Sequence, residues 1–264
     1  MIEKAIFISS LEDFRYVTKD YTRLYFGVEF CERLIPSVKQ LNNALSFSQE
    51  NKLDFTFMTP FVTDKGIARL EPLFDYLDNQ VVQKAEIIIN DWGVLNLLNK
   101  RKWNGLLALG RLLTKQKRGP RIMNIRDKLP ERALEHFKQS NIDVPILSEF
   151  LIEKGIQRVE LDNLLQGISR PDAILKGSLY FPYAYVTVTR YCLSSFSRNK
   201  SVNLRSISPC DKECLKHNFK LHHKSMPVDL LLRGNAQFFK NNKLPEDLDA
   251  LNIDRLVFEP KIPA

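Results

Sequence analysis

Eight short apolar runs, each followed by enough chain for a helix, constrain this fold more than any other feature. They lie at 23–28 (RLYFGV), 53–58 (LDFTFM), 85–89 (AEIII), 105–109 (GLLAL), 158–161 (RVEL), 178–189 (SLYFPYAYVTVT), 228–232 (VDLLL) and 255–258 (RLVF). Several are continuous rather than alternating, as strands buried on both faces are. Between them, Ile67, Leu70, Leu73, Phe74 and Leu77 recur at helical spacing. Asn90-Asp91 offers a cap before Val94, Leu95 and Leu98. A further helix is expected from Pro130. Strand–helix alternation over 264 residues predicts a single (β/α)8 TIM-like barrel, an α/β fold of about 250 residues. The alternative is an open doubly wound sheet. No GxGxxG or GxxxxGK[ST] follows any run, so neither common nucleotide signature is present. The expected organisation is one domain over 1–264, with a loop insertion around 193–208.

In such a barrel the residues just after each strand face one mouth, where active sites sit. That rule selects Glu29, Cys31, Asn90, Asp91, Arg111, Asp162, Asn163, Arg190, Cys192, Arg233 and Asn235. Asp91 and Asp162 are candidates to handle a proton. Both types also cap helices. Glu29, Asn90, Asn163 and Asn235 are candidates to bind substrate, and Arg111, Arg190 and Arg233 are candidate anion clamps.

The net charge is +8, from 39 basic and 31 acidic residues, and it is uneven. The stretch 100–121 carries eight Lys or Arg and no acid; 190–224 carries eight more against Asp211 and Glu213. Such stretches favour an anionic small molecule, nucleic acid or an acidic protein, or form a solvated face. The longest uncharged run in the apolar part, 177–189, is shorter than the ~20 residues of a spanning helix, so no membrane insertion is expected. The opening MIEKAIFISS is too charged for a signal peptide, and a reducing, cytoplasmic setting is expected.

Four cysteines are too few for a disulfide scaffold. Cys210 and Cys214 lie in SPCDKEC, where Ser208 and Pro209 predict a helix start that sets both thiols on one face. Cys31 and Cys192 are expected at the same barrel mouth. Four converging thiolates suit a four-iron four-sulfur (4Fe-4S) cluster or zinc, or stand as unrelated thiols. His136, His217, His222 and His223 form no HExxH or HxH pattern.

Six segments in order, 24–34 (LYFGVEFCERL), 85–98 (AEIIINDWGVLNLL), 110–122 (GRLLTKQKRGPRI), 157–163 (QRVELDN), 185–192 (YVTVTRYC) and 210–214 (CDKEC), resemble the collagenase-like peptidases of class U, family thirty-two. Within that family they are most similar to the UbiV-type iron–sulfur members. The resemblance implies a 4Fe-4S cluster on Cys31, Cys192, Cys210 and Cys214. It also implies a hetero-dimer with a second protein of the family and oxygen-independent hydroxylation of an aromatic ring, as in ubiquinone biosynthesis. The chain is then an oxidoreductase-like enzyme or one subunit of it. Two alternatives are a protease, with Ser194, Ser195 or Cys192 as nucleophile, and an RNA-modifying or RNA-binding protein. The Glu and the Gly-small-apolar-Cys run of the family's peptidase signature are missing from 178–192.

Overall fold

A computed structural model describes residues 2–79, 85–196 and 210–263. Seven parallel strands come first: β1 (Glu3–Ile8), β2 (Arg23–Gly27), β3 (Asp54–Met58), β4 (Glu86–Ile89), β5 (Leu107–Leu109), β6 (Ile156–Asp162) and β7 (Lys176–Phe181). The chain then leaves the barrel to build a small antiparallel sheet from β8 (Tyr183–Val188), β9 (Phe219–Leu221), β10 (Leu230–Arg233) and β11 (Ala236–Lys240). It returns as β12 (Ile253–Phe258), which pairs in parallel with both β7 and β1 and closes an eight-stranded barrel. The open-sheet alternative is thereby excluded.

Outward residues such as Leu24, Phe26, Phe55, Phe57, Ile87 and Ile89 pack under five helices. Inward ones, including Phe7, Tyr25, Met58, Ile88, Tyr180 and Val257, fill the lumen. Burial on both faces explains the continuous apolar runs. Gly27 has φ +138°, and a Cβ there would stand 2.2 Å from Met58 O, so β2 and β3 approach only through glycine.

Two of the five helices start where a side chain accepts from their first N–H groups. Ser37 and Gln40 form a capping box on α1 (Val38–Glu50). The periodic Leu70, Leu73, Phe74 and Leu77 form the buried stripe of α2 (Asp64–Asp78). Asp91 caps α3 (Trp92–Lys100) through Gly93 N at 2.7 Å. The helix expected from Pro130 is α4 (Glu131–Lys138), and α5 (Pro145–Glu153) precedes β6. No helix among the described residues is long and apolar enough to cross a membrane.

Three expectations about the strands are corrected. The run at 228–232 belongs to β10 of the small sheet, not to the barrel. The eighth barrel strand is instead β1, whose charged start, Glu3-Lys4, hid it. The run at 178–189 divides at Pro182, which has no N–H for a ladder, into β7 and β8. A fourth correction concerns Cys210. It precedes a single 3-10 turn, Glu213–Leu215, whose cap Lys212 has φ 57°, so Cys210 and Cys214 do not share a helix face. Ser208, Pro209 and most of the expected insertion at 193–208 lie outside the described residues.

Candidate functional site

The C-terminal mouth of the barrel, where the sequence rule placed the site, is plugged. Arg111, just past β5, is fully buried, and all five of its guanidinium hydrogens are used. Nε and Nη2 clamp Glu29 at 3.1 and 2.6 Å. Nη1 donates to Asp162 Oδ1 at 3.0 Å and to Tyr183 O at 3.1 Å, and Nη2 also meets Glu259 Oε1 at 2.7 Å. The ring of Tyr180 lies 3.9 Å beneath its Cζ. Arg118 holds the other oxygen of Asp162 at 2.6 Å and the carbonyls of Arg111 and Thr114.

Arg111 therefore has no donor left for a substrate anion, which corrects its expected role as a clamp. Asp162 and Glu29 are equally enclosed, and Tyr185 N donates to Asp162 at 2.9 Å. Three carboxylates face two guanidiniums. Burial drives the pKa of Glu29 and Glu259 upward against the pull of Arg111. Burial lowers Arg111, but Glu259, Glu29 and Asp162 outweigh it and hold the guanidinium charged. Phe30, Leu112, Tyr185 and Phe238 then seal the plug beneath the small sheet.

Sequence reasoning missed Glu259, Arg118 and Tyr180. Glu259 directly follows β12 and was selectable by the rule that found Glu29.

The asparagines are staples. Asn90 donates to Thr59 O at 2.9 Å and accepts from Leu112 N at 3.0 Å, tying three strand ends together. Asn163 donates to Lys243 O at 2.9 Å. Asp91 accepts from Val62 N at 3.3 Å as well as capping α3. Arg190 is exposed, with Cζ 5.4 Å from the Phe61 ring. With Asn90, Asp91, Lys115 and Tyr185 it lines an open groove of about 470 Å³ beside β8.

The cysteines gather elsewhere on the rim, around the tip of the β10–β11 hairpin. Asn235 donates one amide hydrogen to Phe30 O and the other to Thr189 O, both at 2.7 Å, which ties the segments bearing Cys31 and Cys192. Gly234 O accepts from Ser194 N and Oγ, both at 3.2 Å. Gly234 itself has φ +63°, and a Cβ there would lie 3.8 Å from Cys214 Sγ. Arg233 Nε donates to Cys214 O at 3.0 Å and Nη1 to Ile262 O, so this arginine supports the Cys214 turn.

Burial raises the pKa of Cys31, which the Arg33 N–H partly offsets and the charges of Cys192 and Cys210 reinforce. Burial likewise raises Cys192, against N–H groups of Ser195 and Ser194. Cys214 is pushed up to about 11 by burial, then by Cys192 and Cys31, against Arg233. The four sulfurs thus feel one another, and backbone N–H groups point at two of them. All four are free thiols, and no three His, Cys, Asp or Glu among the described residues stand at metal-ligand spacing.

Asn235→Ala removes both amide bonds at the tip. It is expected to cost about 2 kcal/mol and to speed alkylation of Cys31 and Cys192 by iodoacetamide, followed by peptide mass spectrometry. Unchanged rates at both thiols would show that the tip does not hold these segments.

No family model matches the chain, and no curated protein sequence does. Among solved structures, the U32 peptidase Mk0906 superposes with a TM-score of 0.51 at 10% identity, over 100% of this chain and 95% of that one. Human YKL-39, a pseudo-chitinase with retained chitooligosaccharide binding, gives a TM-score of 0.33 at 9% identity over 98% and 92%. The closed parallel barrel of this chain is thus the fold of a U32 peptidase.

Proposed function

We propose that this protein is an iron–sulfur redox protein, an enzyme or one subunit of a hetero-dimeric enzyme, that acts on an aromatic or anionic substrate without oxygen. One observation carries the reading: the hairpin tip ties together the segments that bear Cys31, Cys192 and Cys214, and Cys210 lies near enough for its charge to bear on theirs. Thiolates held this near one another would repel, and a cation or cluster removes that repulsion. The donor set also suits the group. Four sulfurs match a cubane, and N–H groups of Arg33, Ser194 and Ser195 aimed at Cys31 and Cys192 are the outer contacts that tune such sites. Zinc on the same thiols is the alternative.

Cys31, Cys192, Cys210 and Cys214 would hold the cluster, which supplies one-electron transfer when bound. The chain's own residues provide the frame. Asn235 and Arg233 fix three of the thiol segments, and the Arg111 plug keeps water out of the lumen. Arg190 and Lys115 place positive charge along the open groove, where an anionic substrate would lie.

The peptidase reading rests on the shared fold. Its nucleophile candidates are otherwise engaged: Ser194 Oγ and Ser195 Oγ donate to carbonyls of Gly234 and Cys192 at 3.2 and 2.7 Å.

Protein purified without oxygen, or reconstituted with iron and sulfide, is expected to be brown and to hold about four irons per chain. Cys31→Ala and Cys214→Ala are each expected to lose most of that iron. A colourless product after reconstitution sinks the cluster, and one zinc per chain in its place supports the alternative.

A further inference from the structure

The two basic stretches, far apart in sequence, meet at a second cavity beside β8. Asn124 Nδ2 donates to Ser225 O at 2.8 Å, and Arg121 Nη2 donates to Ser225 Oγ at 3.1 Å. His223 Nδ1 lies 2.7 Å from the same hydroxyl. Behind them, the nearly buried Gln166 donates to Lys117 O at 2.7 Å and to Phe137 O at 3.1 Å, which joins two walls of a cavity of about 680 Å³. Ile122, Ile125, Phe137 and Met226 make its interior apolar. Lys117 and Arg121 stand at its edge.

These two cations differ from the buried arginines. The five buried arginines, Arg23, Arg111, Arg118, Arg170 and Arg255, each meet a carboxylate. Among the described residues, Lys117 and Arg121 meet none, and Lys117 Nζ instead lies 5.8 Å from the Phe137 ring. Unpaired positive charge at the lip of an apolar cavity favours a ligand with both parts, because each half is solvated poorly by the other's surroundings. The cavity lies within the size range of small-molecule sites.

We propose that this cavity binds a small amphipathic anion, a carboxylate or phosphate head on an alkyl or aromatic body. The head lies between Lys117 and Arg121, with the Ser225 hydroxyl alongside, and the body lies against Ile125, Phe137 and Met226. None of these residues belongs to the thiol centre or to the groove beside Arg190, so the site is independent of the cluster.

Calorimetric titration tests this on the whole chain with decanoate, decyl phosphate, inorganic phosphate and a short single-stranded oligonucleotide. Decanoate and decyl phosphate are expected to saturate at one per chain, far more tightly than inorganic phosphate. Arg121→Ala is expected to weaken them about tenfold. Ile125→Asp, at an exposed wall position that leaves the core intact, is expected to weaken them at least as much. Cys31→Ser is expected to bind them as the parent does, which separates this site from the cluster reading. Absence of saturable decanoate binding, or parental affinity in both Arg121→Ala and Ile125→Asp, overturns the proposal. Tight oligonucleotide binding without decanoate binding also overturns it and assigns the surface to nucleic acid.

Discussion

Arg111→Met is expected to abolish cooperative folding at neutral pH. Methionine keeps an unbranched apolar stem but donates nothing. Glu29, Asp162 and Glu259 would then be left buried, with Arg118 reaching only Asp162. Removing one partner of a buried ion pair costs about 3–5 kcal/mol, and here one guanidinium serves three carboxylates. A domain's whole stability is about 5–15 kcal/mol, so the loss is of the same size as the total.

The pH dependence has a definite sign. Without Arg111, Glu29 and Glu259 hold their protons more tightly folded than unfolded. The stability they contribute is present at acid pH and is lost as pH rises through their folded values. Urea denaturation followed by circular dichroism should show no transition at pH 7 and partial recovery near pH 5. Adding Glu29→Gln and Glu259→Gln to Arg111→Met should restore much of the folding, because a neutral plug carries no uncompensated charge. A parental urea midpoint for Arg111→Met alone would show that the plug is not what closes the mouth.

Glu160→Gln is expected to stabilise the protein above neutral pH. Glu160 points into the lumen and is fully buried. One oxygen lies 3.5 Å from Tyr25 Oη, and the other has no hydrogen-bond partner. Burial pushes its pKa up to about 7; Arg255 and Arg158 work against this, and Glu86 adds to it. The folded value lies above the unfolded one. Its contribution is therefore complete below the unfolded pKa near 4.5 and is lost as pH rises through about 7. That span corresponds to about 3 kcal/mol at 1.36 kcal/mol per unit. Glutamine keeps the shape and never ionises. The variant should match the parent near pH 4 and exceed it by about 3 kcal/mol at pH 8. A parental slope of urea midpoint between pH 4.5 and 7.5 in Glu160→Gln would assign the loss to another group.

Below Glu160, the other end of the barrel is closed by a second charged layer. Arg255 meets Glu86 at 2.6 Å, and Arg23 meets Glu3 at 2.6 Å and Asp54 at 3.0 Å. Here the ion pairs lie at the N-terminal ends of the strands, the face of such barrels that serves stability. The alternation of inward residues explains both layers. Arg23, Thr56, Glu86, Ser178 and Arg255 share the lower level, and Asp162 and Glu259 the upper. This pattern was invisible as function in the sequence, because a lone Arg or Glu inside an apolar run says nothing about which strands face it.

The barrel itself was readable from local pattern. A strand buried on both faces requires a continuous apolar run, and a covering helix requires apolar residues three and four apart. Both requirements are short-range, so AEIII, LDFTFM and the Leu70–Leu77 stripe announced themselves. The strand-end rule likewise found Glu29, Asp162 and the position of Cys31, since chain direction alone decides which end of a parallel strand faces the mouth; Cys192 instead follows β8 of the antiparallel sheet.

Strand pairing was not readable. VDLLL and EKAIFI are equally able to be strands, and only long-range contacts send β1 to the barrel and β10 to the antiparallel sheet. The same holds for charge. That Arg111 follows a strand is a local fact. That it faces Glu29, Asp162 and Glu259 rather than a ligand depends on β2, β6 and β12 converging from opposite parts of the chain. The sequence thus determined which residues could be strands, helices and ligands. The tertiary structure alone decided which charges neutralise one another and which, like Lys117 and Arg121, are left to meet something else.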